Sequence, residues 1–155
     1  MRTRVIGIGH PDRGDDAVGR IVAARLAASG LPGIEVIETD GEAAKLIDLM
    51  EGADEVILID AALSGATPGA VTRLDVAATP VPQPMFAASS HAVGLAESIE
   101  LARILDRLPA HCIVYAIEAA SFMLGAPLSP AVAAAVDRVV ASVVADVTAG
   151  APADA

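Results

Sequence analysis

Cysteine is almost missing from this 155-residue chain, where Cys112 stands alone. No intramolecular disulfide can form, and nothing in the cysteine usage requires an oxidising compartment. Cys112 sits inside the apolar run Cys112-Ile113-Val114-Tyr115-Ala116-Ile117 and reads as a small buried hydrophobe rather than a nucleophile. Aromatic residues are nearly as scarce, at 2% of a composition that is 54% hydrophobic. The core must therefore be layered from Ala, Val, Ile and Leu, which favours an α/β arrangement. Positive charge is short as well: 10 Lys and Arg face 20 Asp and Glu, for a formal net charge of -10. A nucleic-acid surface, which needs a basic stripe to displace counterions, is excluded. The C-terminal apolar stretch is interrupted by Asp137, Arg138 and Asp146, so it reads as a core helix and not a membrane span. Met1-Arg2-Thr3-Arg4 leads straight into a short strand, with too little apolar length for a signal peptide. These features predict a cytoplasmic protein, taken as a monomer, with one domain over residues 1–150 and a frayed tail over 151–155.

What the chain does contain is an alternation of buried strands and amphipathic helices. Strands are expected at residues 4–9, 34–38, 56–60 and 112–117, each rich in Val and Ile. Helices are expected from near Asp15, marked by Val18, Ile21, Val22 and Leu26; after Asp40, marked by Ala43, Leu46, Ile47 and Met50; from His91 onward through Leu95, Ile99 and Ala102; and from Ser129-Pro130 to Val147. Ala70-Val71-Thr72-Arg73-Leu74 reads as a further short strand after a turn-rich stretch. A long loop holding Pro80, Pro82 and Pro84 follows it and ends at Ser89-Ser90-His91. The alternation predicts a mostly parallel sheet covered on both faces, with right-handed crossovers.

The most informative stretch is the first turn, Gly7-Ile8-Gly9-His10-Pro11-Asp12-Arg13-Gly14-Asp15-Asp16. Glycines between a strand and a helix usually cradle a phosphate. Here Asp12, Asp15 and Asp16 carry the wrong charge, and Asp12 occupies the place of the third glycine of a dinucleotide motif. Clustered carboxylates suit a cation instead. Ligands of parallel sheets bind outside the carboxyl ends of the strands, where strand order reverses. Asp15, Asp16, Asp60 and Glu118 all fall at such ends, and His91 can reach the same rim. Plainer roles compete at each position: Asp15 as a helix N-cap, Asp16 as a first-turn acid favoured by the helix dipole, Asp60 as a strand terminus, His91 as a cap-region histidine, and Asp40 as the cap of its helix. His111 precedes its strand and so belongs to the opposite edge.

Taken together and in order, Gly7-Ile8-Gly9-His10-Pro11, Gly14-Asp15-Asp16-Ala17-Val18-Gly19, Asp40-Gly41, Ile59-Asp60-Ala61, Pro68-Gly69, Ser90-His91, Gly94-Leu95, Ile117-Glu118 and Leu128-Ser129 resemble the hydrogenase maturation endopeptidases. That family trims the C-terminal extension from the large subunit of nickel-iron hydrogenases. The resemblance implies a three-layer α/β/α sandwich around a five-stranded sheet with one antiparallel edge strand, for which residues 70–74 are the candidate. It places the family's metal-binding residues on Asp16, Asp60 and His91, and a substrate-handling aspartate on Asp40. It implies a hydrogenase large-subunit precursor as partner and nickel, carried by that precursor or held by the peptidase, as the metal. The chain departs from the family in having His10 for the usual Asn, and Glu42-Ala43 for the usual Gly-Thr after Asp40-Gly41. Two other readings use the same residues: a nickel chaperone or sensor without peptidase activity, and a Rossmann-type nucleotide-binding module resting on Gly7-x-Gly9.

Overall fold

The structure is a computed structural model that describes residues 2–82 and 94–150. Pro84, the Ser89-Ser90-His91 end of the long loop and the 151–155 tail lie outside the described residues. Strands form where Val and Ile crowd the sequence, because branched side chains stand off a pleated sheet with little loss of rotamer freedom. They are β1 (Thr3–Ile8), β2 (Ile34–Thr39), β3 (Glu55–Ala62), β4 (Val71–Asp75) and β5 (His111–Glu118). The helices are α1 (Val18–Ala28), α2 (Ala43–Met50), α3 (Leu95–Ile104) and α4 (Pro130–Ala149), and a 3-10 turn over Gly14–Ala17 leads into α1. The five strands lie in the order β2-β1-β3-β5-β4. All neighbours pair in parallel except β4, which runs antiparallel to β5 at the edge, as the resemblance implied for residues 70–74.

Alternation along the strands sends side chains into two apolar clusters, one per face. On one face Ile6, Ile8, Leu58 and Val114 meet Leu46, Ile47 and Met50 of α2 and Leu95 and Ile99 of α3. On the other, Val5, Ile57, Ile59 and Ile117 meet Val18, Val22 and Leu26 of α1 and Val132, Val136 and Val139 of α4. Each such side chain contributes roughly 1.5–3 kcal/mol on burial, so the three layers hold together without aromatic mass. Among the described residues, no helix is long and apolar enough to cross a membrane.

Strand order reverses at β1: the chain passes outward to β2 and returns on the other side of β1 as β3. The register sets Gly7 opposite Ile59, so the turn after β1 and the end of β3 open onto one crevice. α1 lies very close to these strands. A Cβ on Gly7 would fall 2.4 Å from the Gly19 carbonyl oxygen, and one on Gly19 would fall 2.3 Å from that of Ile59. The first glycine of the Gly7-x-Gly9 pair therefore serves helix-on-sheet packing.

Two helix caps differ from expectation. Asp40 does not cap α2; Glu42 does, its carboxylate accepting the Ala44 and Lys45 N–H groups at 3.0 Å each. Asp40 instead accepts the Glu42 N–H at 3.0 Å, bending the chain ahead of the helix. Nor does Asp15 cap its own helix. The residue before the 3-10 turn is Arg13, without a side-chain cap bond, because the Asp15 carboxylate is turned toward a distant loop.

Candidate active site

Beyond Ile8 the chain turns through Gly9 at φ +146°, where a Cβ would sit 1.8 Å from the Asp16 carbonyl oxygen. No other residue type fits this approach. It lets the His10 N–H donate to Asp16 Oδ2 at 3.0 Å, while the Asp16 N–H donates to the Arg13 carbonyl at 3.1 Å. Asp16 is thereby fixed at the crest of the crevice, buried at 3% exposure. Asp16 belongs to the 3-10 turn that leads into α1, whose N-terminal end favours negative charge.

Asp60 approaches from β3, where the run Val56-Ile57-Leu58-Ile59 carries it inward to 2% exposure. Its Oδ1 accepts the Ala61 N–H at 2.8 Å. Burial first, and the negative charge of Asp16 second, push its pKa well above the ordinary 3.8, against the opposing pull of the Ala61 hydrogen bond. Two carboxylates thus act on one another at the switch point of a parallel sheet. Neither desolvation nor like-charge repulsion is tolerated without cause, and a bound cation removes both penalties at once.

The other two carboxylates expected on this rim do different work. The Asp15 carboxylate, 1% exposed, accepts the N–H groups of Ala120 (2.8 Å), Ser121 (3.2 Å) and Ser129 (2.7 Å) and the Ser129 hydroxyl (3.0 Å). Glu118 accepts the N–H groups of Ser64 (2.8 Å) and Gly65 (3.0 Å) and the Ser64 hydroxyl (2.8 Å). Both are saturated by loop donors and tie the connections around the site, which leaves Asp16 and Asp60 as the rim carboxylates whose charges act on one another. Asp40 lies at the rim beside the end of β2, partly exposed. The Glu42 N–H, then Lys45 and His10, hold its carboxyl below the usual value, so it is ionised at neutral pH. His10 is thus within electrostatic reach of Asp40.

His91 lies outside the described residues. Among the described residues, no group of three or more His, Cys, Asp or Glu side chains is gathered to hold a metal. Cys112 is buried, and burial raises its thiol pKa to about 12; it stays a neutral core residue. His111 is the exposed first residue of β5 and borders a depression of about 550 Å³ with Ala53, Asp54 and Ala110. That depression lies at the amino ends of β3 and β5, opposite the carboxylates. Sequence reading missed Ser64, Ser121 and Ser129 as partners of the rim carboxylates, and Glu42 as a cap. The signal available for the serines was only their position in short turn-rich stretches following strands.

A family model described as hydrogenase maturation protease matches residues 20–146 of the chain, a span that includes Asp40 and Asp60 and begins just past Asp16. Among solved structures, the chain is similar to the hydrogenase maturating endopeptidase HybD from Escherichia coli, at 24% identity over 96% of this chain and 93% of that one, with a TM-score of 0.76. It is similar to an endopeptidase from Escherichia coli solved in solution, at 24% identity over 94% and 91%, with a TM-score of 0.79. It is also similar to the NiFe hydrogenase maturation protease HycI from Thermococcus kodakarensis, at 23% identity over 93% and 90%, with a TM-score of 0.69. At these identities the structural likeness speaks for the fold. No curated protein matches the sequence.

Proposed function

The chain belongs to the hydrogenase maturation protease family, and from that membership we propose that it removes the C-terminal extension of a nickel-iron hydrogenase large-subunit precursor, with Asp16, Asp60 and His91 gripping the nickel the precursor already carries. The observation that carries this reading is the placement of Asp60, a carboxylate buried to 2% exposure on β3 at the switch point of the sheet, within reach of the charge of Asp16. An arrangement that costs stability in the free protein is repaired when a cation arrives between the two groups.

The donor set suits that role. Two carboxylates and an imidazole supply oxygen and nitrogen ligands of the kind nickel accepts, and they leave coordination positions for ligands from the substrate. A metal ion gripped there supplies Lewis acidity toward the scissile carbonyl. The protein's own share is placement. Asp16, fixed by the His10 N–H, and Asp60, fixed by the Ala61 N–H, set where the metal-bearing face of the precursor sits. His91 completes the grip, which makes nickel insertion a condition of binding. Asp40, ionised at the rim beside His10, accepts hydrogen bonds from the main chain of the segment to be cut.

Asp16→Asn, Asp60→Asn and His91→Ala should each abolish processing of a nickel-loaded precursor while the circular dichroism spectrum stays that of the wild type. Normal cleavage by all three variants would remove the metal-grip mechanism. Retained nickel affinity in a wild-type protein that never cleaves would move the assignment to a chaperone or sensor.

A further inference from the structure

The loop 119–129, between β5 and α4, is wired to the turn that precedes Asp16. The Asp15 N–H donates to the Ser121 carbonyl at 3.0 Å, and the Gly125 N–H donates to the Asp12 carbonyl at 2.7 Å. The Asp15 carboxylate holds both ends of the loop through Ala120, Ser121 and Ser129. Gly14, at φ +57°, lets the two backbones close up; a Cβ there would lie 2.9 Å from the Ser121 carbonyl oxygen. Phe122 and Leu128 pack inward on the cluster between the sheet, α1 and α4. Met123 and Leu124 do the opposite and stand 68% and 74% exposed.

The loop is tied on both sides of these residues, at Ser121 and at Gly125, and two large apolar groups stand in water on the rim that carries Asp16. The other exposed large hydrophobics among the described residues, Leu101, Ile104 and Leu105, belong to the far half and end of α3, which leads toward the amino end of β5 and away from the crevice. Residues 119–136 carry no charged side chain, in a chain whose formal net charge is -10. That local neutrality fits an apolar partner surface and not a basic one.

We propose that Met123 and Leu124 are the docking contact for an apolar surface of the large-subunit precursor, next to the segment delivered to Asp16 and Asp60. The inference rests on the peptidase reading above. A protein substrate is oriented by contacts outside the cleft, and a few rigid apolar anchors carry most of such binding, because little conformational freedom is lost when they engage.

The test is steady-state processing of the nickel-loaded precursor over a range of concentrations, comparing wild type with Met123→Ser/Leu124→Ser. These residues are 68% and 74% exposed in the free protein, so the variant should melt close to the wild type. KM should rise about tenfold or more, with kcat changed by no more than about twofold, and Met123→Leu/Leu124→Met should restore wild-type KM. An unchanged KM in a folded serine variant overturns the proposal. So does a wild-type dimer, seen by sedimentation, that the serine variant disperses without a change in KM, since a second copy would then be the occupant. Failure of the wild type itself to cleave would strike the peptidase reading, and this proposal with it.

Discussion

Asp60 sits where a carboxylate is least at ease, 2% exposed and within reach of the charge on Asp16. A buried acid with a raised folded value lowers stability once pH passes its unfolded value near 3.8, and the cost grows until pH passes the folded value. Asp60→Asn keeps an oxygen for the Ala61 N–H and removes the charge. It should therefore melt higher than wild type at pH 8, by about 2–6 °C for a gain on the order of 0.5–2 kcal/mol. The difference should shrink toward acid pH as wild-type Asp60 takes up its proton. A variant that melts lower than wild type at pH 8 would mean that the carboxylate is compensated in the free protein. The burial of Asp60 in β3 was legible in the sequence because four branched apolar residues run straight into a carboxylate, although the strand continues past it to Ala62 instead of ending there. The true work of Asp15 was not, since its partners Ala120 and Ser129 lie 105 and 114 residues further along the chain. A cap preference is local, and the bonds that overrode it are tertiary.

At the scale of elements, the crevice depends on how closely α1 lies on β1 and β3. Gly19→Ala gains about 1 kcal/mol of helix propensity. Against this, the new Cβ would meet the Ile59 carbonyl oxygen at 2.3 Å and that of Ile8 at 2.6 Å, and both are backbone atoms that cannot swing aside. Overpacking of this kind costs about 3 kcal/mol, so the clash wins by about 2 kcal/mol. The melting temperature should drop about 4–8 °C, and processing should slow as the turn bearing Asp16 is lifted from Asp60. A neutral or stabilising effect would contradict the packing described. The far side of the sheet is pinned differently. The Tyr115 hydroxyl donates to the Asp146 carboxylate, and Arg73 Nε and Nη2 donate to the same group at 3.1 and 3.0 Å. Burial, chiefly, pushes the phenol to about 12, so this clamp of α4 on β4 and β5 stays protonated at physiological pH. Strands and helices were readable because period and composition agree along each of them, β3 and α4 most plainly. The caps of α1 and α2 were not, because Asp, Glu and Ser all offer the same acceptor and only the fold decides which is in place.

At the scale of the molecule, the sheet order β2-β1-β3-β5-β4 brings the turn after β1 and the end of β3 to one crevice, and the loop 119–129 is fastened beside it. On the proposed reading, the substrate completes this rim by bringing a cation to the buried Asp60 and an apolar surface to Met123 and Leu124. The peptidase is proposed to act only on a precursor that already carries nickel. The most direct test is mass spectrometry of a cognate hydrogenase large-subunit precursor incubated with this protein, once nickel-loaded and once nickel-free. Loss of a C-terminal peptide from the loaded precursor alone is the expected result. Equal cleavage of both forms would contradict it.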